Sequence, residues 1–130
     1  MTRGHKPVVA IGEAQRKATV WGFVLIGLVT EAKLPFDFVI NDRGRTSLIR
    51  VRRLKYSSHG IADIMKLCGQ EIEELRELTI PDGIFRELWV RGPDRHWHRY
   101  VVLVDRIETI GNDGALSEGN NPSVSPSPDS

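Results

Sequence analysis

Three charged side chains set the chemistry open to this chain. Asp37 heads one apolar run, Asp37-Phe38-Val39-Ile40, and Arg50 and Arg52 lie in a second, Leu48-Ile49-Arg50-Val51-Arg52. Between them, Asn41-Asp42-Arg43-Gly44 is turn chemistry, so the two runs are expected to pair as a hairpin. Side chains two apart on a strand share a face, which points both guanidiniums the same way, toward a site headed by Asp37. A carboxylate is a hard oxygen ligand for Mg²⁺, but one alone makes no cage. Arg50 cannot complete it, because a guanidinium has no acceptor and stays charged. Paired guanidiniums do hold phosphate oxygens well, through parallel hydrogen bonds. The set suits gripping a phosphodiester far better than hydrolysing one.

The wider charge pattern points the same way. Arg43, Arg45, Arg50, Arg52, Arg53 and Lys55 fall within residues 43–55 with no acid after Arg43. Nucleic acid, with DNA the expected form, is the sharp reading, and a solvated basic edge is the plain one. A formal net charge of +1 hides an asymmetry. Residues 113–130 carry three acids, no base and little to bury, and are expected to form a disordered polar tail. Residues 1–112 hold all 18 bases and 14 of the 17 acids, a body of +4, and fit one domain with one core. The longest apolar run, residues 20–29, falls well short of the roughly 20 residues a membrane span takes. The basic start lacks the apolar stretch and cleavage site of a signal peptide. Cys68 stands alone, which rules out an internal disulfide and suits a reducing interior. A cytoplasmic protein with no membrane partner is expected.

Positioning those side chains requires a sheet. Residues 13–19 are good helix formers, in a helix beginning near Val8 or Ala10. Residues 21–29 read as a buried strand entered at Gly22, residues 36–40 as a second strand and residues 46–53 as a third. Residues 56–60 offer helix-capping side chains. Behind them Ile61, Ile64, Met65, Cys68, Ile72 and Leu75 make the stripe of one amphipathic helix, with Glu73, Glu74 and Glu77 off the stripe and Gly69 marking close packing. After Pro81-Asp82-Gly83, strands follow at residues 85–90 and 97–104, and residues 106–110 add a closing turn or strand. A helix between the third and fourth strands permits a parallel pairing. The fold class is therefore α/β, a central mixed sheet flanked by helices.

With those elements placed, the chain resembles the PD-(D/E)xK nuclease superfamily, and within it the small archaeal Holliday-junction-resolvase-like proteins. The matching features are Glu13 in the first helix, Gly22-Phe23, Pro35-Phe36-Asp37, and Ile49-Arg50-Val51-Arg52 where such proteins carry apolar-Glu-apolar-Lys. The helix over residues 61–78 and then Leu88-Trp89-Val90 continue the likeness, over roughly residues 8–110. The resemblance implies a restriction-endonuclease-like fold, a DNA partner, and a catalytic frame of Asp37, Arg50, Arg52 and Glu13, with Asp37 the surviving metal ligand. The chain departs from the pattern at its centre, where Arg50 replaces a carboxylate and Arg52 a lysine. No cofactor is expected, and Mg²⁺ would enter only if cleavage survives. In place of phosphate, Arg50 or Arg52 could also bridge Asp37 and Glu13 as an internal ion pair.

Three functions follow from these residues. The first is a nucleic-acid-binding protein with a degenerate, inactive site. The second is an active metal-dependent endonuclease whose carboxylates have migrated to Asp42 or Asp63. The third is an interaction scaffold or homodimer, using an outer helix or the hairpin that bears Trp89 and Trp97. His96 and His98 share a strand face but are too few for a metal site by themselves. Trp89 and Trp97 could stack bases, though core packing is the commoner use of such residues.

Overall fold

A computed structural model describes residues 7–29, 31, 33–55, 60–93 and 96–112. The expected polar tail and most of the capping loop lie outside the described residues. The first element is α1 (Val8–Val20), in which Ala10, Ala14 and Ala18 recur every fourth residue and are buried. Small side chains at that spacing let the helix axis come close to the sheet. The helix ends in a Schellman motif. Gly22, at φ 89°, turns the chain, the Gly22 N–H donates to the Thr19 carbonyl, and the Phe23 N–H donates to the Ala18 carbonyl. Gly22 therefore closes a helix rather than opening a strand.

Among the described residues, six strands form one sheet in chain order: β1 (Val24–Leu28), β2 (Phe38–Asp42), β3 (Arg45–Arg53), β4 (Ile84–Arg91), β5 (Trp97–Val102) and β6 (Ile107–Asn112). Only β3 and β4 run parallel, joined by the crossover through α2 (Ile61–Leu67) and α3 (Gly69–Arg76); every other neighbouring pair is antiparallel. The mixed α/β class expected from the sequence is the one observed. A two-residue turn of Arg43 and Gly44, both at positive φ, joins β2 to β3, and the Asn41 side chain accepts the Gly44 N–H. That turn twists with the strands and fixes the pairing of Phe38 with Ile49.

Helix α1 covers one face, over Phe38, Ile40, Ile49, Val51, Trp89 and Trp97; α2 and α3 cover the other, over Leu54, Leu88, Val90 and Tyr100. No described helix is long and apolar enough to cross a membrane.

Three expectations are corrected. Residues 24–28 are an edge strand, not a buried one: Val24, Ile26 and Leu28 are 61%, 57% and 63% exposed, while Trp21 and Phe23 before them turn into the core. The second amphipathic helix is two helices, broken at Cys68, whose backbone (φ −115°, ψ 20°) ends one and caps the other. Gly69 marks that break and not close packing, since a β-carbon there would meet nothing within 4 Å. Cys68 itself is buried, and desolvation pushes its thiol up to about 11, so it is neutral at physiological pH.

Candidate functional site

The register places Asp37 just before the Phe38–Ile49 pair and Arg50 just after it, so the two belong to one face of adjacent strands. Asp37 is 1% exposed; its Oδ2 accepts the main-chain N–H of Val51 at 2.8 Å, tying the start of β2 to the middle of β3. That face lies under α2 and α3. Here the crossover supplies what the sequence reading lacked. Arg50 Nη1 donates to Glu74 Oε1 at 3.1 Å and to the Pro35 carbonyl at 2.9 Å. Arg52 Nη1 donates to Glu71 Oε2 at 2.6 Å.

The spacing explains the match. Residues three apart on a helix rise about 4.5 Å, and residues two apart on a strand about 6.6 Å. Two acids on α3 therefore meet two bases on β3. Nothing in the sequence marks Glu71 or Glu74 as partners of these arginines, because a partner 19 or 24 residues away leaves no local pattern.

The cluster is closed at Arg50 and part-open at Arg52 and Glu74. Arg50's side chain is 5% exposed, Glu71's 16% and Glu74's 25%, with Arg52 the most open at 33%. Glu74 is partly open to water, so breaking the Arg50–Glu74 pair costs less than the about 3–5 kcal/mol of a fully buried pair, and the more open Arg52–Glu71 pair contributes about 1 kcal/mol or less.

Glu13 does not join this cluster. It lies on the α1 face, where its Oε1 sits 2.8 Å from Arg91 Nε, so the expected bridge from Glu13 to Arg50 or Arg52 is replaced by a pair with Arg91. The six bases of residues 43–55 do not share one surface either. Arg50 and Arg52 face α3, while Arg45 packs its guanidinium 3.9 Å above the Phe85 ring and lies 3.6 Å from Glu87. Arg43 at the hairpin tip is 95% exposed, and Arg53 and Lys55 are exposed at the far end of β3.

Trp89 and Trp97 are buried in an aromatic cluster with Trp21, Phe23 and Phe38, which removes them from base stacking and from any docking surface. Inside that cluster, Arg99 donates to Glu87 at 3.1 Å and its guanidinium lies within 5.4 Å of three aromatic rings. Burial lowers the pKa of Arg99, and the charge of Glu87 opposes that shift.

The site fits a metal poorly. Among the described residues no three His, Cys, Asp or Glu side chains come together, and the residue beside Asp37 is a cation. Asp42 stands at the opposite end of β2 from Asp37, roughly 17 Å along the strand, and pairs with Arg43 at 3.8 Å.

The fold has the form of a mixed α/β domain, with α1 on one face of the sheet and α2 and α3 on the other. A solved structure described as Hjc, a Holliday junction resolvase from the archaeal hyperthermophile Archaeoglobus fulgidus, is similar over 79% of this chain and 86% of its own, with a TM-score of 0.53 and 17% sequence identity. At that identity the likeness concerns the fold. No family model matches the chain, and neither does any curated protein.

Proposed function

We propose that the chain binds nucleic acid, DNA the expected form, without metal-dependent cleavage. The observation that carries this reading is Arg50. At the position where a nuclease frame would hold a metal-binding carboxylate stands a guanidinium, anchored by Glu74 and the Pro35 carbonyl. A fixed positive charge there opposes a divalent cation. Binding then falls to the exposed bases: Arg43 at the hairpin tip, and Arg53 and Lys55 where β3 ends. The similar solved structure is named for a DNA-junction enzyme, which supports DNA over other polyanions.

An interaction scaffold or homodimer is a second reading, and one observation favours it: Val24, Ile26 and Leu28 leave an apolar edge strand uncovered. The endonuclease reading has less support, because Asp42 is remote from Asp37 and engaged by Arg43.

Salt dependence tests the first reading. Anisotropy of a labelled duplex should show affinity falling linearly in log–log form, with a slope of about 0.9 per phosphate contacted. Arg53→Gln and Lys55→Gln should each flatten that slope by up to about 0.9 and weaken unrelated sequences alike, since phosphate contacts carry no base information. Arg52→Gln should leave the slope unchanged, because Glu71 already occupies Arg52. A wild-type protein that binds no DNA at low salt would overturn the reading in favour of the scaffold.

A further inference from the structure

A pocket of about 340 Å³ opens on the α1 face, lined by Glu13, Arg16, Lys17, Val20, Arg91 and Trp97. Four of these residues come from α1 at positions i, i+3, i+4 and i+7, one continuous stripe of the helix. Arg91 comes from the end of β4 and Trp97 from the start of β5, where the two are register partners. The floor is apolar, with Trp97 2% exposed. Arg91 is held rather than free to swing, its side chain 10% exposed and its Nε beside Glu13. Glu13 Oε1 is buried and close to that nitrogen, yet lacks an aligned hydrogen-bond donor. Arg16 is exposed on the rim. Arg53, the register partner of Arg91 on β3, adds a further cation beside the pocket.

We propose that this pocket binds a phosphomonoester group. Arg16, Lys17 and Arg91 against Glu13 leave a net charge of +2. A phosphomonoester carries about −1.5 to −2 at neutral pH, whereas a backbone phosphodiester carries only one negative charge. The pocket is open to solvent, so a phosphate group can enter it, and the discrimination between phosphomonoester and backbone phosphodiester rests on charge. Glu13, with Oε1 buried against Arg91 but its side chain 28% exposed, offers its other carboxylate oxygen as an acceptor for a hydroxyl or amino donor on the body that bears the phosphate. That chemistry is supplied by a free nucleotide or by the terminal phosphate of a nucleic-acid strand. Neither source depends on the chain binding internal DNA.

Calorimetric titration with AMP and adenosine, and anisotropy of one labelled oligonucleotide with either a 5′-phosphate or a 5′-hydroxyl, test the site. The expected result is that a phosphorylated probe of either kind binds more tightly than its unphosphorylated partner. Arg16→Gln should weaken that binding on the order of tenfold, the loss of one charge-assisted contact. This variant lies on the helix surface and leaves the Glu13–Arg91 pair intact, so it should remain folded. Arg91→Gln should abolish the preference for phosphate. If AMP alone shows the preference, the ligand is a nucleotide; if only the oligonucleotide shows it, the ligand is a strand end. Equal binding of phosphorylated and unphosphorylated probes, or no effect of Arg16→Gln, would overturn the proposal. Closed circular duplex, which has no ends, reports the DNA-binding reading separately. Circles bound without a phosphate preference would sink the pocket alone, and phosphate preference without circle binding would sink the DNA reading alone.

Discussion

Glu87→Ala is expected to destabilise the protein by about 3–5 kcal/mol, the cost of leaving one member of a buried pair without its counter-charge. Glu87 is 1% exposed and its Oε1 accepts from both Arg99 Nη2 and Trp89 Nε1, at 3.1 and 2.9 Å. Removing it strands a guanidinium whose Nε and Nη1 already lack partners. The surrounding rings offer only partial compensation, about 2 kcal/mol at best for a desolvated cation over an aromatic face. Against a typical total of about 5–15 kcal/mol, such a loss brings a domain of this size close to unfolding. Urea denaturation should show the midpoint collapse with Glu87→Ala. It should recover in large part with Glu87→Leu combined with Arg99→Met, because apolar replacement of both members removes the desolvation penalty. A single variant within about 1 kcal/mol of wild type would mean that water reaches Arg99 and that the aromatic cluster is not closed.

Arg50→Glu should be nearly as damaging, and it addresses function directly. The substitution restores the residue type that the nuclease resemblance calls for, yet here it brings a carboxylate against Glu74 and next to Asp37. Loss of this part-buried pair costs about 2–4 kcal/mol, and like-charge repulsion adds to it. A carboxyl buried among carboxylates has a raised folded-state pKa, so the sign follows: the variant should be weakest at neutral pH and regain stability as acid protonates the new group. Thermal melts at several pH values measure this. Adding Mg²⁺ should not rescue the variant, because Glu74 and Glu71 are arranged for guanidiniums. A large Mg²⁺-dependent rise in melting temperature would instead reveal a metal site suppressed only by Arg50.

The parts of this architecture that could be read from the sequence are those written in local patterns. Asn41 to Gly44 announced a tight turn, and with the alternation of Ile49, Arg50, Val51 and Arg52 it set the register that brings Asp37 beside Arg50. The intervening helical stripe permitted the parallel β3–β4 pair without requiring it. What escaped was long-range or depended on layer geometry. The run at residues 24–28 is as apolar as a central strand, yet its place at the sheet edge, which no local pattern specifies, leaves one side bare. Gly69 is ambiguous within a helical stripe, and only the backbone at Cys68 shows a break. Glu71, Glu74 and Arg91 carry no distinguishing neighbours; each is recognisable only by the opposite charge that the fold sets against it.

The most direct test is an assay that follows binding and strand scission in the same low-salt sample, with duplex, branched and single-stranded DNA and with Mg²⁺ or Mn²⁺ added. The expected result is a retained complex and intact DNA, with no product above that formed by metal alone, and the same outcome for Asp37→Asn on whatever fraction remains folded. Cleavage by the wild type that Asp37→Asn abolishes would contradict the account, because it would require Asp37 to hold a metal beside the Arg50 guanidinium.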